Sequence, residues 1–183
     1  MGTIGVHEFI TLDGVIDTPS WTAAYPFDPK MGEAIADIMG QDGAILLGRT
    51  TYEMFAPAWS TRTAEEDPGA PFMNDTPKYV VSSTLQSADW KNSLVLGPYS
   101  ASAIRDLKDR VDGKIYVSGS VTLVRAMLAD GLVDDLHLFV YPLALGSGQR
   151  LFTEGATVKL ALAGYEAYDN GVLHLTYTPA AAG

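Results

Sequence analysis

The feature that most constrains the fold of this chain is an alternation of short apolar runs with amphipathic segments. Runs of β-branched and aromatic residues predict strands, and apolar residues recurring every three or four positions predict helices. Such alternation favours a mostly parallel sheet with helices on both faces, because parallel strands need long crossover connections. The strands are predicted at 4–12, 44–47, 78–82, 93–96, 114–117 and 136–141, with helices at 29–39, 50–59, 100–111 and 121–129.

The C-terminal third breaks this alternation. Segments 158–163 and 172–177 flank Asn170-Gly171 and predict an antiparallel hairpin at one edge of the sheet. Segment 61–75 is polar and acidic and contains Pro and Gly, so we expect it to be the most mobile loop. No repeat or long linker divides the 183 residues, and a single α/β domain over 1–183 is predicted.

Composition excludes several classes of function. The formal net charge is −10 with no offsetting basic cluster, so nucleic-acid binding is not expected. The chain has no cysteine, which excludes disulfides, thiolate metal sites and cysteine nucleophiles. No leader is visible, and no apolar stretch approaches the roughly 20 residues of a membrane span. We therefore expect a cytoplasmic protein without membrane association.

Three junctions between a strand and the segment after it carry glycine or hydroxyl residues. Ligands of open parallel sheets bind beyond the carboxyl ends of the strands, at such junctions. The first junction is GRTT at 48–51, where a helix N-terminus favours an anion. Arg49 can form a two-pronged contact with a phosphate, such as the 2′-phosphate of NADPH. An N-cap followed by a surface arginine is an equally weighted alternative.

The other two junctions are weaker individually. SST at 82–84 offers hydroxyls to ribose or phosphate, but these residues are also ordinary turn formers. SGSVT at 118–122 places a glycine turn before a helix, which suits a pyrophosphate but lacks the full G-x-G-x-x-G pattern. Three such junctions on one parallel sheet together predict a dinucleotide site.

Other constellations are less informative. His7, His137 and His174 fall inside strand-like runs without metal-ligand spacing, so we interpret them as core or sheet-face residues, and no metal site is predicted. The acidic run 65–67 reads as a solvated loop. The sequence contains no nucleophile elbow, P-loop or paired zinc ligands.

Several motifs resemble a known family. LDGVI at 12–16, LGRTTYE at 47–53 and YVVSST at 79–84 resemble the dihydrofolate reductase superfamily. IYVSGS at 115–120 and PLALGSGQRLF at 142–152 resemble the branch containing the C-terminal reductase domain of bifunctional riboflavin-biosynthesis proteins. The matches occur in order over nearly the whole chain.

The resemblance implies an eight-stranded, mostly parallel sheet flanked by helices, with NADPH as cofactor. At the adenosine end of the cofactor, the resemblance places Gly48, Arg49 and Thr50 at the phosphate, and Ser82 and Ser83 at the adenine ribose and its phosphate. At the pyrophosphate it places Gly119, Ser120, Val121 and Thr122, with Ser118 directly before them. Beside the nicotinamide it places Phe9, Thr11 and Ile16. Asp13 would hold the following loop or reach the substrate.

The chain also departs from the family pattern. Folate reductases place an acid on the first helix near a threonine of a later strand, whereas Gly32 and Phe139 occupy these positions here. Glu33 is the nearest acid and a candidate catalytic residue together with Asp13, although a solvent-facing helix glutamate is the alternative. Lys30 and Arg150 are candidates for binding a substrate phosphate.

The expected substrate pocket lies between loop 13–29, the first helix and the second helix. Its candidate residues are Trp21, Phe27, Tyr52, Phe55 and Phe139. Trp21, Tyr25 and Phe27 would stack on a flat ring or, equally, pack the loop onto the body. These features predict an NADPH-dependent reductase of a pteridine- or aminopyrimidine-type heterocycle, with a non-catalytic NADP-binding protein as the alternative. A homodimer is expected, to which 136–145 would contribute unless it forms a central strand.

Overall fold

The computed structural model describes residues 1–40 and 43–180, and within these residues eight strands form one sheet in the order β4-β3-β2-β5-β1-β6-β8-β7. The strands are β1 (Thr3–Thr11), β2 (Gly43–Gly48), β3 (Lys78–Val81), β4 (Ser93–Gly97), β5 (Lys114–Val117), β6 (Asp135–Tyr141), β7 (Leu160–Ala167) and β8 (Leu173–Pro179). Strands β1 to β6 pair in parallel, whereas β8 pairs antiparallel with both β6 and β7. The predicted mostly parallel sheet with an antiparallel C-terminal pair is confirmed.

The helices are divided between the two faces of the sheet. They are α1 (Pro29–Met39), α2 (Arg49–Trp59), α3 (Ala70–Asp75), α4 (Ala101–Arg110) and α5 (Val121–Ala129), with a 3-10 helix at Pro19–Ala24. Successive side chains of a strand point to opposite faces. In β1, Val6 and Ile10 therefore join the aliphatic core under α4 and α5, whereas Phe9 packs in the aromatic-rich core under α1, α2 and α3.

The start of α1 follows from its sequence. Asp28 Oδ1 accepts a hydrogen bond from the backbone N–H of Lys30 at 2.9 Å, and Pro29 occupies the first helical position. The aspartate satisfies one of the unpaired N–H groups of the first turn, and proline has no N–H to leave unpaired. The predicted helix start at 28–29 is confirmed.

Two predictions need correction. Segment 61–75 is not wholly a loop, because α3 forms at its end and buries Ala70 and Met73. Strand β7 begins and ends later than predicted, because its register pairs Ala167 with Leu173 across the turn. In segment 136–145, β6 lies between β1 and β8 and is an interior strand, which is the central-strand alternative for this segment. A contribution of the segment to a homodimer stays a prediction. Among the described residues, no helix has both the length and the apolar character that crossing a bilayer requires.

Candidate functional site

The three predicted junctions meet at one edge of the sheet. Strands β3, β2 and β5 are neighbours, so their carboxyl ends lie side by side and frame a cleft of about 360 Å³. The cleft is lined by Gly48, Arg49, Thr50, Val81, Ser82, Ser83, Thr84, Pro98, Tyr99, Ser120, Thr122, Leu123 and Ala126. The predicted convergence of the junctions is confirmed, and Pro98 and Tyr99 after β4 are added to them.

The first and third junctions are in direct contact. The Ser120 hydroxyl accepts a hydrogen bond from the backbone N–H of Thr51 at 3.3 Å and lies 3.2 Å from the Thr51 hydroxyl. A Cβ atom at Gly48 would collide with the Ser120 side chain, so only glycine permits this approach of the two strand ends. The starts of α2 and α5 are thereby held side by side, with their backbone N–H groups near the cleft.

Arg49 supplies positive charge to the cleft. Its Nη1 donates to both carboxylate oxygens of Glu53 at 3.1 and 3.0 Å, and both side chains are 48% exposed. An ion pair this exposed is weak, so the guanidinium is able to exchange Glu53 for a ligand phosphate. Arg49 lies at the first position of α2, where the helix dipole also favours an anion.

The second junction combines a turn with part of the lining of the cleft. The buried hydroxyl of Ser82 accepts hydrogen bonds from the N–H groups of Thr84 at 3.2 Å and Leu85 at 2.9 Å. Ser82 is therefore the turn former that the sequence offered as one alternative. Ser83 and Thr84 are exposed and line the cleft.

The third junction contacts a residue that the sequence analysis missed. The N–H of Gly119 donates to Glu8 Oε1 at 3.1 Å. Glu8 lies in β1 and is 6% exposed, and this burial raises the pKa of its carboxyl group to about 8. Ser118, Gly119 and Val121 are not among the residues that line the cleft, whereas Ser120 and Thr122 are.

The residues expected beside the nicotinamide lie outside the lining of the cleft, around the end of β1. The Thr11 hydroxyl donates to Asp13 Oδ1 at 2.5 Å, and the Asp13 carboxylate also accepts from the N–H groups of Leu145 at 3.1 Å and Gly146 at 2.7 Å. These hydrogen bonds lower the pKa of Asp13 to about 2. Asp13 therefore holds a loop, the one after β6. Contact of Asp13 with a substrate, or of Phe9, Thr11 and Ile16 with nicotinamide, stays a prediction.

Aromatic residues of loop 13–29 pack onto the end of β6. Trp21 and Tyr25 contact Tyr141 edge-on with ring centroids 5.1 and 5.2 Å apart, and Phe9 does so at 5.7 Å. This is the loop-packing alternative for Trp21 and Tyr25. It also assembles several aromatic surfaces beside the carboxyl end of β1.

The remaining candidate pocket residues are dispersed. Tyr52 is buried and its hydroxyl accepts a hydrogen bond from the N–H of Trp90 at 3.0 Å, whereas Phe55 is half-buried against the aromatic-rich core. Phe27 is 69% exposed. Their contact with a substrate stays a prediction.

The positions that hold an acid and a threonine in folate reductases are apolar here. A Cβ atom at Gly32 would lie 2.8 Å from Cζ of Phe27, so the ring of Phe27 occupies the space that a side chain at 32 would need. Phe139 is fully buried and stacks on His174 with ring centroids 4.3 Å apart. Glu33 is exposed on α1. The local chemistry therefore differs from that of a folate reductase.

The three histidines meet on the face covered by α1, although they are distant in sequence. His137 Nδ1 lies 3.1 Å from His174 Nε2, and His7 Nδ1 lies 2.9 Å from the Tyr116 hydroxyl. Burial lowers the pKa of His7 to about 3 and that of His137 to about 4, so both are neutral at pH 7. Their prediction as core or sheet-face residues is confirmed. In the part of the chain that the structure describes, no three His, Asp or Glu residues form a group suited to a metal ion.

The architecture defines the class of fold to which the protein belongs. Dihydrofolate reductase from Enterococcus faecalis in complex with NADP(H) superposes with a TM-score of 0.64 at 14% identity, covering 97% of this chain and 96% of that one. A putative riboflavin biosynthesis protein from Shewanella sp. PV-4 superposes with a TM-score of 0.75 at 21% identity, covering 97% and 99%. The fold is thus that of dihydrofolate reductase.

Sequence comparison identifies the family within this class. The model of the RibD C-terminal domain matches residues 3–174, so the chain belongs to that family. The uncharacterized protein YyaP of Bacillus subtilis (strain 168) is 26% identical over 176 residues, which cover 92% of this chain and 90% of YyaP. The resemblance stated from the motifs is confirmed.

Proposed function

We propose that this protein is an NADPH-dependent reductase of a small pteridine- or aminopyrimidine-type heterocycle. The observation that carries the proposal is the cleft in which Arg49, several hydroxyl groups and two helix N-termini converge. Membership of the RibD C-terminal domain family supports the reductase class. NADPH, when bound, would supply a hydride for an electrophilic C=N or C=O carbon.

The residues of the cleft fit a phosphorylated dinucleotide. Arg49 and Thr50 at the start of α2 suit the adenosine phosphate, and the exposed hydroxyl of Ser83 suits the ribose. Ser120 and Thr122 at the start of α5 suit the pyrophosphate. In a chain of net charge −10, this local arrangement supplies the attraction that an anionic cofactor needs.

The substrate would bind beyond the carboxyl end of β1, where Trp21, Tyr25 and Tyr141 assemble aromatic surfaces for a flat ring. Asp13 would orient the substrate or the loop around it. Arg150 donates to the backbone carbonyl of Asp13 at 2.9 Å and is 48% exposed. Of the two candidates for binding a substrate phosphate, Lys30 and Arg150, Arg150 is therefore the better placed. Glu33 would contribute only if α1 brings it to the substrate.

Titration with NADPH, followed by nucleotide fluorescence, tests the cofactor site. The Arg49→Ala variant is expected to bind NADPH about tenfold more weakly or worse, because a charge-assisted contact contributes about 1.5–3 kcal/mol. NADH, which lacks the 2′-phosphate, is expected to bind both proteins equally. Arg110→Ala removes an exposed arginine at the end of α4 and serves as the control. The proposal would be contradicted if NADPH left the melting temperature of the wild-type protein unchanged and its own fluorescence did not change on mixing.

A second candidate function is that of a non-catalytic NADP-binding protein. The packing of Phe27 over Gly32 and the stacking of Phe139 on His174 favour it, because these positions hold no acid–threonine pair. NADPH oxidation assays with dihydrofolate, dihydropterins and aminopyrimidine ribosides discriminate between the two. Tight NADPH binding without turnover of any of these compounds would favour the second candidate.

We also propose that the protein is a cytoplasmic homodimer. Strand β7 is the edge of the sheet, and its Leu162 and Tyr165 are 56% and 77% exposed. An edge strand with exposed apolar side chains is a surface on which a second copy can pair. Light scattering coupled to size-exclusion chromatography gives the mass in solution, and a monomer mass would contradict the dimer.

A further inference from the structure

Glu8 is a carboxyl group in apolar surroundings, placed directly behind the proposed pyrophosphate turn. Glu8 lies on the same face of β1 as Val6 and Ile10, and its register partner on the neighbouring strand β6 is Leu138. Burial, with a smaller contribution from the charge of Glu8, raises the pKa of Tyr116 of β5. Burial also raises the pKa of Glu8 itself and outweighs the hydrogen bond from Gly119, which lowers it. A carboxylate in such surroundings lacks the partners that normally compensate burial of a charge.

We propose, on the basis of the NADPH site proposed above, that Glu8 is a positioning residue that holds the Gly119 turn through its hydrogen bond with the Gly119 N–H, and that a negative charge on Glu8 weakens NADPH binding. Glu8 thus couples cofactor affinity to a proton. The proposal concerns binding and assigns Glu8 no role in hydride transfer.

The first argument is mechanical. Gly119 is confined on two sides. Its N–H donates to Glu8 on one side, and on the other side the Thr51 hydroxyl is so close that a Cβ atom at Gly119 would lie 2.7 Å from it. Gly119 has φ of +73°, a conformation that side chains other than glycine rarely adopt. The next residue, Ser120, contacts both Thr51 and the cleft. Any displacement of the turn at Glu8 therefore reaches the residues that line the cleft.

The second argument is electrostatic. Burial raises the pKa of Glu8 to about 8, so the group is mostly neutral at pH 7 and loses its proton in mildly alkaline solution. An ionised Glu8 would place a negative charge behind the turn that receives an anionic pyrophosphate, in a region where screening is poor. Binding of the cofactor must then favour the protonated form. At a pH above 8, NADPH binding is therefore accompanied by proton uptake.

The affinity for NADPH between pH 7 and 9.5 tests this coupling. In wild-type protein, the Kd is expected to rise about tenfold over this range, whereas in Glu8→Gln it is expected to stay within about twofold. The phosphomonoester of NADPH is already ionised throughout, since its second pKa is near 6. Lys78, whose pKa is lowered to about 8, titrates in both proteins, so the ratio of the two Kd values isolates Glu8. Glu154→Gln, an exposed charge-matched control, is expected to follow wild type.

A second measurement does not depend on the variant. Calorimetric titration of wild-type protein at pH 8.5, in two buffers of different ionisation enthalpy, is expected to show uptake of a substantial fraction of a proton with NADPH. Uptake of none, or a Kd profile that Glu8→Gln shares with wild type, would overturn this inference while the NADPH site stands. Failure of wild-type protein to bind NADPH at any pH would instead overturn the proposed function itself, and the coupling with it.

Discussion

Among the buried ionisable side chains, Lys78 and Glu8 lie toward opposite ends of the sheet, and their charges are compensated to different degrees. Lys78 at the start of β3 is 1% exposed, and its ammonium group donates to the backbone carbonyls of Met73, Asn74 and Thr76 at 2.8 to 3.0 Å. Glu8, below the cleft, is 6% exposed and accepts one N–H, from Gly119.

The difference separates a structural group from one suited to function. Each of the three N–H donors of Lys78 has a carbonyl partner at the end of α3, and the ring centroid of Trp90 lies 4.6 Å from the amine. Burial lowers the pKa of Lys78 to about 8, but with these partners the amine stays mostly charged at pH 7. Glu8 has no comparable set of donors and therefore favours its neutral form. Burial alone does not indicate function; an incompletely paired ionisable group beside a ligand cleft does.

The largest effect is expected at the well-compensated end. Lys78→Met leaves three backbone carbonyls without their donor, so the free energy of unfolding should fall by about 3 kcal/mol or more. Urea unfolding measures this loss. Lys91→Met removes an exposed ion pair with Asp75 and should cost at most about 1 kcal/mol. A Lys78→Met protein as stable as Lys91→Met would remove one side of the comparison.

A smaller effect of opposite sign is expected at the cleft. The pKa of Glu8 is about 8 in the folded protein and 4.5 ordinarily, so the folded state retains a proton that the unfolded state releases between these values. The stabilisation present below pH 4.5 is therefore lost as the pH rises to 8. Glu8→Gln escapes this loss and should be more stable than wild type at pH 8 by at least about 2 kcal/mol, with the full difference in pKa setting an upper limit on the order of 4 kcal/mol. Urea unfolding at pH 5 and pH 8 tests this, and a difference that fails to widen with pH would contradict it.

The smallest effect is expected at the exposed ion pair between Arg49 and Glu53. Glu53→Gln releases Arg49 and should change the free energy of unfolding by at most about 0.5 kcal/mol. It should nevertheless strengthen NADPH binding about two- to threefold, because the Arg49 guanidinium no longer has to break its contact with the Glu53 carboxylate before it binds the cofactor phosphate. Fluorescence titration measures this gain. Asp75→Asn, the same charge removal in a pair remote from the cleft, should leave the affinity unchanged; equal effects of both variants would indicate only a change in net charge.

Much of the sheet and the cleft could be predicted because the signals are local. Apolar runs ending in glycine or hydroxyl residues mark carboxyl ends of strands, and neighbouring parallel strands bring those ends together. Gly48, Ser83 and Ser120 were found in this way. The helix start at Asp28 is equally local, since its side chain caps the N–H of a residue two positions later.

The rest depends on contacts between distant residues. Glu8 contacts Gly119, which is 111 positions away in the sequence. Within its own strand, a glutamate among apolar residues does not show which face of the sheet its side chain occupies. His137 and His174 meet only through the register of β6 with β8. Helix α3 forms in a segment of polar composition because burial of Ala70 and Met73 outweighs local preference.

The contact between Gly48 and Ser120 has a consequence for how this chain can change through evolution. A side chain at 48 can be accommodated only if residue 120 becomes smaller, and a smaller residue at 120 gives up the hydroxyl that binds the N–H of Thr51. The two positions are therefore not free to mutate one at a time. Among descendants that retain this geometry they should vary together or not at all, as a single inherited unit.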